Sequence, residues 1–313
     1  MPLKRYEAVP CSVESYRLAE GPVWDAAAGR IIWVDILAGL VLEGRHTDGT
    51  LAESARHAFD GMVGAAVPAA DGSLLVAAQE RLVILAPDGS RQDGPRVVEP
   101  GRRSRTNDGG TDPSGRFLIG TLALDDSFGA ERLLRIEDDG EVTVIDDDLV
   151  LSNGLAWSPD GSKLYSVDTG RNVIWERDYS SGRETPGARR QYLTVVPGYP
   201  DGMCMDTDGN LWVAIWGGGE VRCYAPGGEV IATVRVAAPN TSSAAFIGES
   251  LDTLLISTAR KDLSPQKLEE FPDSGRLFTA RVDATGLPTV PWAGISASRG
   301  RRRDPGPARS ASD

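Results

Sequence analysis

Short apolar runs, alternating with polar residues and broken by Gly-containing turn pairs, recur along the whole chain. Residues 152–168, SNGLAWSPDGSKLYSVD, show the unit. Positions 155–158 and 164–168 alternate as strands on either side of Pro159-Asp160-Gly161, where Asp and Gly tolerate the positive φ of a tight hairpin turn. A second turn-like pair, Asn153-Gly154, stands ahead of the first strand and is surplus to the hairpin.

The unit repeats. EGPVWDAAAGRIIWVD (20–35) and NGLAWSPDGSKLYSVD (153–168) share their length, with Gly, Trp and a final Val-Asp in register. NDGGTDPSGRFLIGT (107–121) and DGMCMDTDGNLWVA (201–214) both carry Asp-x-x-Gly at the turn, and GAAVPAADGSLLVAA (64–78) and SAAFIGESLDTLLIS (243–257) are weaker copies. The six heads lie 42 to 48 residues apart, the period of a four-stranded propeller blade, roughly 40–50 residues. Further apolar runs at 81–86, 133–137, 173–177 and 220–224 supply the outer strands, and no segment keeps a helical period over three turns. The chain is therefore expected to be all-β, a six-bladed β-propeller whose radial repetition protects most strand edges. A large β-sandwich would also space its strands regularly, but it does not repeat one hairpin six times.

Closing such a ring needs a strand from the far end of the chain. The run at 4–9 or that at 13–18 is expected to pair beside 276–282. A single propeller domain over 1–297 follows. The remainder, 298–313 (SRGRRRDPGPARSASD), is basic, rich in Pro and Ser and without an apolar period, which predicts a disordered tail.

In a propeller the innermost strand of each blade lines the central channel and begins near one mouth. The six heads, Glu20, Gly64, Asn107, Asn153, Asp201 and Ser243, should therefore converge on one axis. Each pair alone is an ordinary turn former; their coincidence at one phase of a sixfold repeat points to a ligand. Two carboxylates brought close, Glu20 and Asp201, repel each other and force a pKa upward, and a divalent cation removes that cost. With oxygen donors and no Cys or His the site is hard, favouring calcium, magnesium or manganese, although zinc also accepts carboxylates. Three or four protein ligands would leave positions open for water and substrate.

Composition narrows the partners. A net charge of −12 opposes nucleic acid and anionic membranes, which recruit basic surfaces. Three cysteines, Cys11, Cys204 and Cys223, have no metal-binding spacing and form an odd set, so a reducing compartment without a disulfide framework is expected. No apolar stretch resembles a signal peptide or a membrane span, which suggests a cytoplasmic protein.

The segments LAEGPVWD (18–25), RTNDGGTDPSGRFLIGTL (105–122), LSNGLAWSPDG (151–161), PDGMCMDTDGNLWVA (200–214), LDTLLISTAR (251–260) and SGRLFTARVDATGLP (274–288) together resemble the SMP-30/gluconolactonase/regucalcin family, also called the LRE-like region. The resemblance implies a six-bladed propeller that binds one divalent metal and hydrolyses sugar lactones. It implies metal binding by Glu20, Asn153 and Asp201 and substrate contacts from Arg105 and Asn107, with Asp125 matching an acidic residue of the family. Calcium is the first expectation for the metal, with zinc, manganese or magnesium as alternatives. Two departures stand out: Thr241-Ser242-Ser243-Ala244-Ala245 replaces a segment that often carries paired cysteines, and Leu122 stands where Met is usual. The first alters a channel-facing position that could retune substrate choice. Glycines 217–219 suit a tight turn, since no strand-to-helix context supports a phosphate loop.

Lactone hydrolysis needs a polarised carbonyl, an attacking water and a proton for the ring oxygen. Asp201 is the expected general base as well as a metal ligand, Arg105 and Asn107 would hold sugar hydroxyls or the oxyanion, and Asp125 would accept a hydroxyl hydrogen bond. Alternatively, Arg105 balances surface acids such as Asp108 and Asp112. His46 and His57 lie outside the repeat heads, and no serine has nucleophile-elbow context. Phosphotriester hydrolysis on the same metal, and a non-enzymatic calcium- or carbohydrate-binding propeller, are the competing functions. A WD-type scaffold fits least, because Trp24-Asp25 is not repeated. The expected partner is a small sugar lactone, and the expected assembly a monomer or small homo-oligomer.

Overall fold

A computed structural model of the protein describes residues 3–125, 127–180, 182 and 186–296. Its strands form six sheets, five of four strands and one of five, which make a six-bladed β-propeller. The innermost strands are Ala19–Asp25, Val63–Pro68, Ser104–Thr111, Ser152–Trp157, Tyr199–Met205 and Thr241–Ile247. In each blade the following strands succeed one another outward in chain order. The runs at 81–86, 133–137, 173–177 and 220–224 are the third strands, Arg81–Leu85, Glu131–Ile136, Val173–Asp178 and Glu220–Tyr224. One short α-helix, Pro265–Glu270, and two single-turn 3-10 helices, Ile36–Ala38 and Thr169–Arg171, are present among the described residues, and no helix is long and apolar enough to cross a membrane.

The second strands read as nearly continuous apolar runs because both faces are covered by neighbouring blades. In Arg30–Asp35 every residue after Arg30 is buried. Ile32, Val34 and Val41 of the first blade pack with Val63, Ala66 and Val76 of the second, and such face-to-face burial holds the ring together. Hairpin turns form where the repeat places them: Gly161 has φ +70°, and Asp160 accepts a hydrogen bond from Ser162 N at 3.0 Å. Gly217 and Gly219, also at positive φ, turn the chain between Leu211–Trp216 and Glu220–Tyr224.

Asn153-Gly154 is not a turn. It lies within Ser152–Trp157, where the pairing register with the next strand slips between Asn153 and Leu155. The same slip occurs in the other five inner strands, at Glu20/Val23, Val63/Ala65, Thr106/Gly109, Pro200/Met203 and Thr241/Ser243. A bulge inserts unpaired residues and re-aims their side chains. Six bulges at one radius thus turn one set of side chains toward the axis.

The N-terminus closes the ring twice. Val9–Pro10 pairs antiparallel with Phe278–Arg281 and completes the sixth blade, whereas Lys4–Glu7 lies parallel to Val230–Arg235 as a fifth strand of the fifth blade. The run at 4–9 is therefore divided between two blades, and 13–18 forms no strand but joins the sixth blade through the bridge from Leu18 to Ala259 and hydrogen bonds such as Tyr16 N to Gly275 O at 2.8 Å. Tyr6 and Ala8 pack on the core shared by these blades. Deleting residues 2–10 is expected to cost about 3 kcal/mol from that lost burial, lowering the thermal midpoint by about 5 °C or more. An unchanged midpoint by calorimetry would contradict this closure.

Beyond the sixth blade the chain crosses the end of the channel opposite the bulge side chains. Thr207 N donates to Thr285 O at 2.8 Å, Leu287 N to Met205 O at 3.2 Å, Trp292 N to Pro68 O at 2.8 Å and Ala293 N to Gly115 O at 2.9 Å. This segment straps the fifth blade to the second and third. The disordered tail expected at 298–313 lies outside the described residues.

Candidate active site at one mouth of the channel

Glu20, Asn153 and Asp201 stand on the bulges of the first, fourth and fifth blades and line one cavity of about 310 Å3 together with Arg105 and Asn107. All five are at most 6 % exposed. Local bonds hold each in place. Glu20 Oε2 accepts from Gly21 N at 3.1 Å. Asn153 Nδ2 donates to Thr169 Oγ1 at 3.1 Å, and that hydroxyl donates to Pro200 O at 2.8 Å, so one threonine ties the amide of the fourth blade to the strand bearing Asp201. Asn153 Oδ1 and Asp201 Oδ1 are buried without a hydrogen-bond partner. Glycine follows Asn153 and Asp201 because the inner strands touch there, a Cβ at Gly154 sitting 2.5 Å from Asp201 O, whereas Gly21 has open space around it and serves a backbone φ of +51°.

Arg105 Nη1 donates to Thr106 O at 2.8 Å and to Asn107 Oδ1 at 2.7 Å, and Asn107 Nδ2 donates to Ser152 O at 2.9 Å. The arginine thus orients the asparagine across two blades. Burial lowers the Arg105 pKa to about 10 against the pull of Glu20 and Asp201. Burial likewise pushes Glu20 well above the usual carboxylate range, aided by the charges of Asp201 and Asp108, and pushes Asp201 up, aided by Asp108. Desolvated like charges beside one guanidinium leave a demand for positive charge.

Two carboxylates and a carboxamide with unpartnered buried oxygens match the donor set of a hard divalent cation. Among the described residues no three His, Cys, Asp or Glu side chains form a cage; here the third donor is the amide of Asn153.

Residues 18–260 match the family model described as the SMP-30/gluconolactonase/LRE-like region. The chain belongs to this family. Within the SMP-30/gluconolactonase/LRE-like family it is similar to the 6-deoxy-6-sulfogluconolactonase of Pseudomonas putida, 32% identical over 88% of this chain and 95% of the relative. It is also similar to the pentonolactonase of Haloferax volcanii, 33% identical over 88% and 94%. Among solved structures, regucalcin of Agrobacterium tumefaciens, described as a calcium-binding protein, superposes with a TM-score of 0.87 at 27% identity, covering 93% of this chain and 99% of that one.

Not every residue expected at the site of this family member is there. Asp125 lies on the exposed turn after Phe117–Ala123, accepts from Ser127 N at 3.0 Å and is not part of the cavity wall, because the strand has already ended. Ser243 lines a different cavity, at the opposite end of the channel, together with Ala244 and Ala245; the replaced cysteine segment therefore does not face the Glu20 side. Gly64 packs against the third blade, its missing Cβ 2.4 Å from Asn107 O. In both weaker copies the register read from spacing is one residue late: Gly64 and Ser243 stand where Gly154 and Gly202 stand, one residue after the channel-lining position.

Nor does Arg105 balance surface acids. Asp112 is buried and bonded to Arg116, and Asp108 opens only into the far cavity. His46 and His57 sit half-buried on the outer strands of the first blade, away from the channel. Three rim residues carried no repeat signal: Tyr199, its register partner Trp216, and Lys261, whose ammonium lies 5.8 Å from the Trp216 ring centroid. Cys11, Cys204 and Cys223 are free.

Proposed function

We propose that this protein hydrolyses sugar lactones to aldonic acids, using a divalent cation held by Glu20, Asn153 and Asp201, with calcium the first expectation and zinc, manganese or magnesium the alternatives. The carrying observation is the convergence of these three residues with unpartnered buried oxygens on Asn153 and Asp201. The names of the Pseudomonas and Haloferax relatives support the substrate class. The propeller over residues 1–297 would act as one unit.

A cation bound there supplies electrophilic polarisation of the lactone carbonyl. Asp201 accepts a proton from the attacking water as the water oxygen bonds to the carbonyl carbon. When the bond from that carbon to the ring oxygen breaks, the same carboxyl returns the proton to the leaving alkoxide. Among the described residues the hydrogen bonds of Arg105 all run through Nη1, so the rest of its fork is free to bind sugar hydroxyls or the developing oxyanion. Asn107, pinned by Arg105 and Ser152, orients the substrate beside it. Leu18, Leu122 and Leu151 wall the cavity and keep bulk water from the reacting groups.

Proton release from a panel of glucono- and pentonolactones tests the reading. Saturable turnover that chelation abolishes and added cation restores is the expected result. The calcium-binding description of the regucalcin structure favours one second reading, a non-enzymatic calcium binder. Cation binding without turnover of any lactone would establish that reading instead.

A further inference from the structure

The six bulges are not chemically equivalent. In four blades the residue after the channel-lining position is glycine, Gly21, Gly64, Gly154 and Gly202, and in the sixth it is Ser243. In the third it is Asp108, unpaired together with Asn107 between Thr106 and Gly109. Four blades thus dispense with a side chain where this blade has a carboxylate.

That carboxylate faces away from the substrate mouth. It lines the far cavity, about 400 Å3, walled by Met203, Phe246 and the strap residues Leu287 and Val290. Gly109 N donates to its Oδ1 at 2.8 Å. Among the described residues no Lys, Arg or His lines that cavity, so none of them gives Asp108 a positive neighbour on its own side. It follows Asn107 on its bulge as Gly21 follows Glu20 and Gly202 follows Asp201, so it stands at the level next to both carboxylates and its negative charge raises the pKa of each. Among the described residues Glu20, Asp201 and Asp108 thus face one guanidinium in the channel, an imbalance that a dication would offset.

We propose that Asp108 is a positioning residue for the divalent cation: placed behind Glu20 and Asp201 on the third bulge, its negative charge tightens cation binding without ligating the ion. The inference rests on the cation reading given above. In a poorly solvated channel such a charge acts over several ångströms, because the effective dielectric is far below that of water.

Asp108→Asn keeps the side-chain shape and an acceptor for Gly109 N–H while removing the charge. Chelator-stripped protein is titrated with calcium chloride by calorimetry. The expected result is a Kd for calcium weakened roughly tenfold or more. The stripped variant is also expected to unfold at a higher temperature than the stripped parent, since one of three repelling charges is gone; an acid with only a structural role would lower that temperature. Asp160→Asn, which removes the other carboxylate of the far cavity wall, should leave the Kd unchanged. An Asp108→Asn protein that binds calcium within about twofold of the parent overturns the inference while the cation reading stands. A parent that binds no calcium, magnesium, manganese or zinc overturns both. If the asparagine variant does not fold, Asp108→Gly, with the residue of four other blades, gives the same comparison.

Discussion

Asp201→Asn is expected to lower kcat for lactone hydrolysis, measured at saturating cation, by about a thousandfold while leaving the fold in place and an oxygen donor for a cation that now binds more weakly. Loss of a positioned general base costs about 10²–10⁴ in rate. Asparagine preserves an oxygen donor and the side-chain shape, so the ion can still be held, but it cannot take the proton of the attacking water. Asp201→Ala should instead lose cation affinity and turnover together, because donor and base leave at once. Initial rates over a range of lactone concentrations, paired with calcium titration, separate the two variants. An Asp201→Asn enzyme retaining more than about a tenth of the parental kcat would remove Asp201 from the base role.

The largest stability effect is expected at Asp112, far from the site. Its Oδ1 accepts from Ser114 N at 2.8 Å and Arg116 N at 2.9 Å, and its Oδ2 accepts from Arg116 Nε at 2.8 Å and Tyr179 Oη at 2.7 Å. Arg116 is buried, and its guanidinium also donates to Ser180 O and Gly182 O, so one carboxylate anchors an arginine that fastens the third blade to the chain leaving the fourth. Removing one partner of a buried, hydrogen-bonded pair strands the other. Asp112→Ala should therefore cost about 3–5 kcal/mol in urea unfolding at neutral pH.

The pH dependence has a definite sign. Burial alone would raise the Asp112 pKa, but the hydrogen bonds from Ser114, Tyr179 and Arg116 and the arginine charge outweigh it and hold the value below the ordinary one. A depressed folded value contributes stability above the unfolded pKa of about 3.9 and loses it as pH falls through the folded value. The parent should lose this increment on acidification below about pH 4, and the variant should show a flatter acid limb. A neutral-pH loss under about 1 kcal/mol would mean that water replaces the missing carboxylate.

Where the chain spoke through local chemistry, it was legible. Hairpins such as that at Pro159-Asp160-Gly161 follow from alternation and positive-φ residues, and their sixfold recurrence implies the ring. Glu20, Asn153 and Asp201 were readable because a repeat brings residues of one phase together in space. Phase is also where the reading failed. The two weaker copies carry no ligand-type residue to fix their phase, so spacing alone puts Ser243 at a mouth it does not face.

Other features depend on packing that no local pattern encodes. Lys4–Glu7 looks like any edge strand, and its parallel pairing with the fifth blade is decided by the surface that Tyr6 covers. Asp108 reads as a surface acid until the channel closes around it. Tyr199, Trp216 and Lys261 meet only because separate loops end at one rim.

The N-terminal strands described above carry a consequence for assembly. Lys4–Glu7 and Val9–Pro10 must wait for the last blades before either can settle, since the contact between Val9 and Thr279 spans 270 positions. Such distant contacts slow folding. Fastening these strands should be the final, rate-limiting event of folding, and a chain halted before the fifth blade would keep residues 4–10 unpaired.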